Sequence, residues 1–196
     1  MANFAIMGFG TVGSGVAEVL RMNAASIAEK LGEPLNLKYI LDVRDLSATP
    51  YGEIAVKDFA VLENDPDLEV VVESIGGARV ALEFTRRALL AGKHVVTSNK
   101  ELVASHGREL LAIAKEKNVN YLFEASVGGG IPVLRPLFQC LAGNRIEEVV
   151  GILNGTTNYI LTRMVRGGVS FEDALKEAQA KGYAEQNPAA DVEGLD

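Results

Sequence analysis

Tryptophan is missing from the 196 residues, cysteine occurs once, histidine twice, and aromatic side chains make up only 6%. A single cysteine, Cys140, closes no internal disulfide, and with two histidines it builds no Cys- or His-rich metal centre; a reducing, cytoplasmic setting is expected. Positive charge is short as well. Against 26 Asp and Glu stand 19 Lys and Arg, a net charge of −7, which argues against a nucleic-acid-binding surface as the main role. Backbone amides can still make a local anion site without net charge. Long hydrophobic runs are lacking too. The first 17 residues carry no charge, but Gly8, Gly10, Gly13 and Gly15 interrupt them, no basic segment precedes them, and charge has returned by Arg21. That is short of the roughly 20 residues a spanning helix needs, so neither a signal peptide nor a membrane span is expected. What remains is 48% hydrophobic and 23% charged, enough for a sizeable core and incompatible with disorder as the main state.

Strand and helix patterns alternate through the first 125 residues. Short apolar runs over residues 2–7, 37–43 (LKYILDV), 69–74, 94–97 and 120–125 (NYLFEA) read as strands buried on both faces. Helical spacing covers 12–31, closed by Gly32 and Pro34, then 80–91, closed by Gly92, and 101–117. Such an order predicts an α/β fold, a doubly wound parallel sheet of Rossmann type covered by helices. The character changes at Gly128-Gly129-Gly130, where a boundary is placed: a nucleotide-binding domain over 1–130 and, over 131–196, the incomplete beginning of an α+β domain. In that second part an amphipathic stretch is expected over 131–141, a strand over 147–153, and helices over 159–165 and 171–181. About 65 residues with one strand make a poor independent core.

Gly8-Phe9-Gly10-Thr11-Val12-Gly13 fits the G-x-G-x-x-G pattern between the first strand and the first helix. Alone the pattern is weak; its position raises its weight. The first glycine permits a tight turn, the second leaves room for a diphosphate against bare backbone, and the third lets helix approach sheet. A glycine-rich turn that binds nothing is the alternative. At the end of the second strand, Asp42 would hold a ribose 2′-hydroxyl and favour NAD, whereas Arg44 would receive a 2′-phosphate and favour NADP. Asp42 lies 29 residues past Gly13 and is expected to point into the sheet face, with Arg44 at the cofactor edge; the balance tilts slightly to NADP, and an exposed loop charge is an equal reading of Arg44.

Four further segments stand out: TSNKELVA (97–104), EASVGGGIP (124–132), GILNGTTNYIL (151–161), and GYAE through Asp191 to Asp196. With GFGTVGSG, in this order and over the whole chain, they resemble homoserine dehydrogenase. The resemblance implies an oxidoreductase of amino-acid biosynthesis that interconverts L-homoserine and L-aspartate 4-semialdehyde with NAD or NADP, on the route to threonine, methionine and isoleucine. It also implies a homodimer formed largely through the substrate domain, with the active site between domains, and no nucleic-acid or membrane partner. The candidate cofactor-binding residues are Phe9, Gly10, Thr11, Val12, Gly13, Arg44, Ile75, Gly76, Ser98 and Lys100.

Reducing an aldehyde by hydride leaves an alkoxide that needs a proton. Lys100 ends a strand at the carboxyl edge of the sheet and matches the lysine of the family's T-x-N-K motif, which lies beside cofactor and substrate. A lysine that merely starts a surface helix is the alternative. By the same resemblance Glu185 and Asp196 contact the substrate's ammonium and Asp191 supports that acidic cluster; read alone, the three look like a solvated acidic tail. The family's proton-donating lysine falls shortly beyond Asp196 and has no counterpart here. The 196 residues are therefore expected to bind nucleotide and to turn over poorly or not at all, with a nucleotide-binding module lacking catalysis as the second reading. Glu124, Val127, Gly129 and Ile131 match a family site for a monovalent cation, usually sodium; one carboxylate with backbone carbonyls suits a hard cation. A turn-capping role is the alternative for Glu124. Asn154, Thr156, Thr157 and Asn158 are expected to hold turns at the domain interface by side-chain hydrogen bonds rather than to take part in chemistry. Cys140 lacks an activating histidine, which argues against an aspartate-semialdehyde dehydrogenase with its cysteine nucleophile.

Overall fold

The computed structural model describes residues 1–151, 153–184 and 188–194, and the chain divides into two compact units, Met1–Pro132 and Val133–Asp196. In the first, β1 (Ala2–Met7), β2 (Leu35–Leu41), β3 (Ala55–Val56), β4 (Val70–Glu73), β5 (His94–Thr97) and β6 (Tyr121–Leu122) form one sheet in the order β3-β2-β1-β4-β5-β6. Every pairing is parallel. Parallel neighbours need crossovers, supplied by α1 (Thr11–Met22), α2 (Ala24–Leu31), α3 (Ala60–Glu63), α4 (Arg79–Leu90) and α5 (Lys100–Lys117).

Strand alternation in β1 shows why both faces are covered. Phe4 and Ile6 join Ala17 of α1 in one cluster, whereas Ala5 and Met7 join Ala81, Leu89, Leu102 and Leu110 of α4 and α5 in another. The chain leaves β1 in one direction toward β2 and β3 and returns to β4 on the other side, so a crevice opens above the carboxyl ends of β1 and β4.

Several expected elements are moved or broken. The helix expected over 12–31 is two helices, parted at Asn23, whose side-chain amide donates to the Val19 carbonyl (2.9 Å) and whose φ is −107°. β2 begins two residues early, at Leu35, and the register slips between Phe4 and Ala5 so that Lys38 bulges out to meet Asp65 (2.7 Å). Short β3 and α3 carry no sequence period long enough to announce them. After β6 the expected strand over 120–125 winds into a tight turn at Glu124–Ser126.

In the second unit α6 (Gly155–Gly167), α7 (Phe171–Ala180) and α8 (Ala189–Val192) are described, with Ile160, Ala174 and Ala178 at the centre. The amphipathic stretch over 131–141 is helical over 134–140, opening with Leu137 N–H to the Val133 carbonyl (3.3 Å) and ending in a wide turn, Pro136–Cys140, closed by Leu141 N–H to the Pro136 carbonyl (3.2 Å). Pro132 and Pro136 lack the donors a longer helix needs. The strand expected over 147–153 is paired with no strand among the described residues, and Ile152 lies outside them; Val149, Val150 and Leu153 are exposed. A strand forms only against a neighbour.

Candidate functional site

Directly after β1 the chain turns on Gly8 at φ +88°, with its N–H donating to the Leu41 carbonyl (2.8 Å). A Cβ there would lie 2.8 Å from the Ser74 carbonyl oxygen. The Ser74 hydroxyl donates to the Gly8 carbonyl (2.7 Å), which fastens the end of β4 to the glycine turn. Gly13, in the first turn of α1, comes so close that a Cβ would stand 2.0 Å from the same Gly8 oxygen. Gly10 differs: nothing lies within 4 Å of where its Cβ would be. It is also the N-cap of α1, with no side-chain cap and no acidic residue in the first turn. No acidic side chain of α1 itself offsets the positive end of the helix there. Tight turn, open approach and close helix-to-sheet contact fall on the first, second and third glycine in turn. Phe9 packs edge-on against Tyr51, with ring centroids 5.2 Å apart.

A cavity of about 370 Å³ opens at this edge, wholly within the first unit. Of the expected cofactor residues, Gly10, Arg44, Ile75 and Gly76 line it; Phe9, Thr11, Val12, Gly13, Ser98 and Lys100 do not. Asp42 and Lys57 line it too. Asp42 does not point into the sheet face. Its carboxylate turns to the glycine loop, accepting the Phe9 N–H (2.7 Å), and takes the Arg44 guanidinium in a fork (2.9 and 2.8 Å) together with the Arg44 N–H (2.8 Å). The reason is chain geometry: β2 ends at Leu41, and Asp42, whose N–H still donates to the Val56 carbonyl (3.3 Å), stands at the last rung of the ladder beside the glycine loop. Arg44 remains largely exposed at the cavity while Asp42 is buried beneath it. Lys57, which follows β3, donates to the carbonyls of Val43 (2.9 Å) and Arg44, and so brings a second cation to this end of the cavity. Sequence reasoning missed it because a lone lysine after a two-residue strand carries no pattern.

The Arg44 side chain, with the backbone N–H groups of Arg44 and Phe9, holds the Asp42 carboxyl well below the usual carboxylate range; burial opposes them. A lowered folded-state pKa means stability that is fully present above the unfolded value, 3.8, and lost as pH falls below it through the lowered value. Denaturant unfolding followed from about pH 6 to about pH 3 should therefore show a loss that Asp42→Asn flattens; parallel profiles for the two proteins would remove the assignment.

Lys100 is the exposed first residue of α5, next to the Asn99 cap at the carboxyl edge of β5. Glu124 lies in the turn after β6; the chain then passes through Gly128 and Gly129 at φ +73° and +58°, and Ile131 N–H returns to the Gly128 carbonyl (3.0 Å). Among the described residues no three His, Cys, Asp or Glu side chains cluster, so a cation here would depend on backbone carbonyls with the one carboxylate. In the second unit Asn154 caps α6, accepting the Thr157 N–H (2.8 Å), and its amide donates to Asp191 (2.6 Å); the Thr156 hydroxyl donates to the Tyr183 carbonyl (2.6 Å). Asn154 thus caps its own helix, and Asn154 and Thr156 together tie the start of α6 to Asp191 and Tyr183. Glu185 and Asp196 lie outside the described residues, leaving Asp191 as the described member of the acidic set. Cys140 is exposed. Among the described residues no helix is long and apolar enough to cross a membrane.

A family model described as homoserine dehydrogenase, NAD binding domain, matches residues 8–124, and one described as homoserine dehydrogenase matches residues 132–196. The chain is 45% identical to a homoserine dehydrogenase of Neisseria gonorrhoeae over 99% of this chain and 45% of that one. It is 44% identical to one of Bacillus subtilis over 97% and 45% respectively. A solved homoserine dehydrogenase from Thiobacillus denitrificans superposes with a TM-score of 0.90 at 42% identity, over 99% of this chain and 46% of that one. A hyperthermophilic archaeal homoserine dehydrogenase in complex with NADPH does so at 0.83 and 30%, over 99% and 65%. The chain spans about 45% of the length of the curated relatives it matches.

Proposed function

The chain belongs to the homoserine dehydrogenase family, and from that premise we propose that it serves the NAD(P)-dependent interconversion of L-homoserine and L-aspartate 4-semialdehyde. The observation that carries this reading is the cavity above the carboxyl ends of β1, β2 and β4, with an uncapped helix N-terminus and an unobstructed glycine at its mouth. The residues present fit a dinucleotide. Gly10 leaves its backbone open to a diphosphate, the first-turn amides of α1 receive the charge, and Ile75 and Gly76 line the side toward β4. Arg44 and Lys57 put two cations where a ribose 2′-phosphate would fall, which favours NADP.

NAD(P), when bound, supplies the hydride acceptor or donor. The chain's own side chains handle position. Lys100, at the carboxyl edge of the sheet, is placed to orient the substrate oxygen beside the dinucleotide. Glu185, Asp191 and Asp196 are the partners for the substrate ammonium, with Asp191 steadied by the Asn154 amide. Glu124, with the carbonyls of Val127, Gly129 and Ile131, is a donor set for sodium or another monovalent cation. A cytoplasmic homodimer in the route to threonine, methionine and isoleucine completes the reading.

Titration of the 196-residue chain with NADP+ and with NAD+, followed residue by residue by NMR, is the direct test. Shifts concentrated at Gly8–Gly13, Arg44, Ile75 and Gly76 are expected; a carrier bound elsewhere, or not at all, would sink it. A longer chain that carries the remaining length of the relatives should oxidise L-homoserine with NAD(P)+. A correctly folded one that does not would defeat the activity.

A further inference from the structure

Glu73, the last residue of β4, is fully buried below the carboxyl edge of the sheet, and nothing in the proposed reaction uses it. It pairs in register with Thr97, the last residue of β5. One carboxylate oxygen accepts the Ile75 N–H (2.7 Å), and the other accepts the Thr97 hydroxyl (2.5 Å). Thr97 Oγ1 in turn accepts the Asn99 N–H (2.9 Å). The Asn99 amide donates to the carbonyls of Ile75 (3.1 Å) and Gly77 (2.9 Å), while its Oδ1 accepts the Leu102 N–H and caps α5. The bonds close a circuit from Glu73 through Ile75, Asn99 and Thr97 back to Glu73.

Two things depend on that circuit. One is the backbone at 75–77, part of which lines the cavity. The other is the first turn of α5, which begins with Lys100. A buried carboxylate is an expensive way to fill a sheet edge: desolvation pushes the Glu73 pKa up, opposed by its bonds from Thr97 and Ile75. A leucine would fill space but offer no acceptor to either partner. Two acceptor oxygens at one point can hold an amide from the loop after β4 and a hydroxyl from β5 together, which no apolar side chain does.

We propose that Glu73 is a positioning residue for the redox half of the dinucleotide: without touching the ligand, it locks the 75–77 backbone and the α5 cap that carries Lys100 into one rigid edge. The inference rests on the reading above, in which the 2′-phosphorylated ribose lies by Arg44 and Lys57 and the dinucleotide runs past Gly10 toward Ile75 and Gly76. A pre-ordered edge spares the ligand the cost of ordering it.

The test compares NADPH with 2′,5′-ADP, which carries the phosphorylated adenosine half and lacks nicotinamide. Glu73→Gln keeps the shape and removes one acceptor; Thr97→Val removes the hydroxyl, and Thr97→Ser keeps it. Calorimetric titration should show NADPH affinity about tenfold weaker in Glu73→Gln and Thr97→Val, with 2′,5′-ADP held within about twofold. Thr97→Ser should match the parent for both ligands. Equal losses for both ligands in Glu73→Gln and Thr97→Val would mean general structural damage and overturn the proposal. So would unchanged NADPH binding, or a Thr97→Ser as weak as Thr97→Val. A parent chain that binds neither ligand defeats the dinucleotide reading itself, and the positioning role falls with it.

Discussion

Gly13→Ala should lower the thermal midpoint of the first unit by roughly 10 °C and abolish measurable dinucleotide binding. The added Cβ would stand 2.0 Å from the Gly8 carbonyl oxygen and 2.9 Å from the Ser74 hydroxyl. The first of these is backbone, so no side chain can swing away; either α1 lifts from the sheet or the turn at Gly8 opens. Overpacking of this kind costs about 3 kcal/mol, and in a domain of this size each kcal/mol moves the midpoint by several degrees. Gly10→Ala is the control with the opposite signature. Its Cβ meets nothing within 4 Å, so stability should change by about 1 kcal/mol or less, from the poorer N-cap alone. Yet the methyl would occupy the approach of a diphosphate, and affinity should fall about tenfold or more. Calorimetry of folding and of binding on the two variants separates a glycine needed for the fold from one needed for the ligand. If Gly13→Ala melts with the parent, the close contact is not real; if Gly10→Ala binds like the parent, the diphosphate does not lie there.

Arg44→Ala should weaken NADPH by about 10- to 100-fold, the range of a lost charge-assisted contact to phosphate, and leave NADH unchanged or slightly tighter. The asymmetry follows from Asp42. With the arginine in place, its carboxylate is occupied by the guanidinium fork and two backbone N–H groups. Removing the guanidinium frees two acceptor positions at the cavity wall, which suits a ribose 2′-hydroxyl and repels a 2′-phosphate. Lys57→Ala should weaken NADPH in the same direction. The double variant should lose less than the sum, because Lys57 also holds the Arg44 carbonyl and the two cations act as a unit. Separate titrations with NADPH and NADH decide it: an unchanged ratio in Arg44→Ala would return the arginine to the status of an exposed loop charge.

How much of the site was legible depends on sequence distance. The glycine loop was, since strand, turn and helix start are contiguous and each glycine answers a local steric demand. The cap of α5 was not recognised, although Asn99 before a helical run is a readable N-cap signal. Lys57 and Ser74 went unnoticed for a different reason. Each stands at the carboxyl end of a strand, and which strands lie beside β1 and β2 has to be known before either becomes a site residue. The placement of Asp42 was misjudged by the same route: a bulge at Lys38 and an early end to β2 changed where its side chain points. In the segment over 131–141 the amphipathic pattern gives a short helical stretch over 134–140, kept short by Pro132 and Pro136.

From the chain of letters alone came the alternation of strand and helix, the parallel sheet, and the position of the glycine turn, because periodicity and steric freedom are short-range properties that neighbouring residues set among themselves. Three-dimensional packing alone decided that Asp42 grips Phe9 and Arg44, that Ser74 ties down Gly8, and that Glu73 meets Thr97. Several of these contacts join residues dozens of positions apart, and they exist only once the register between parallel strands is set by the burial of two faces at once.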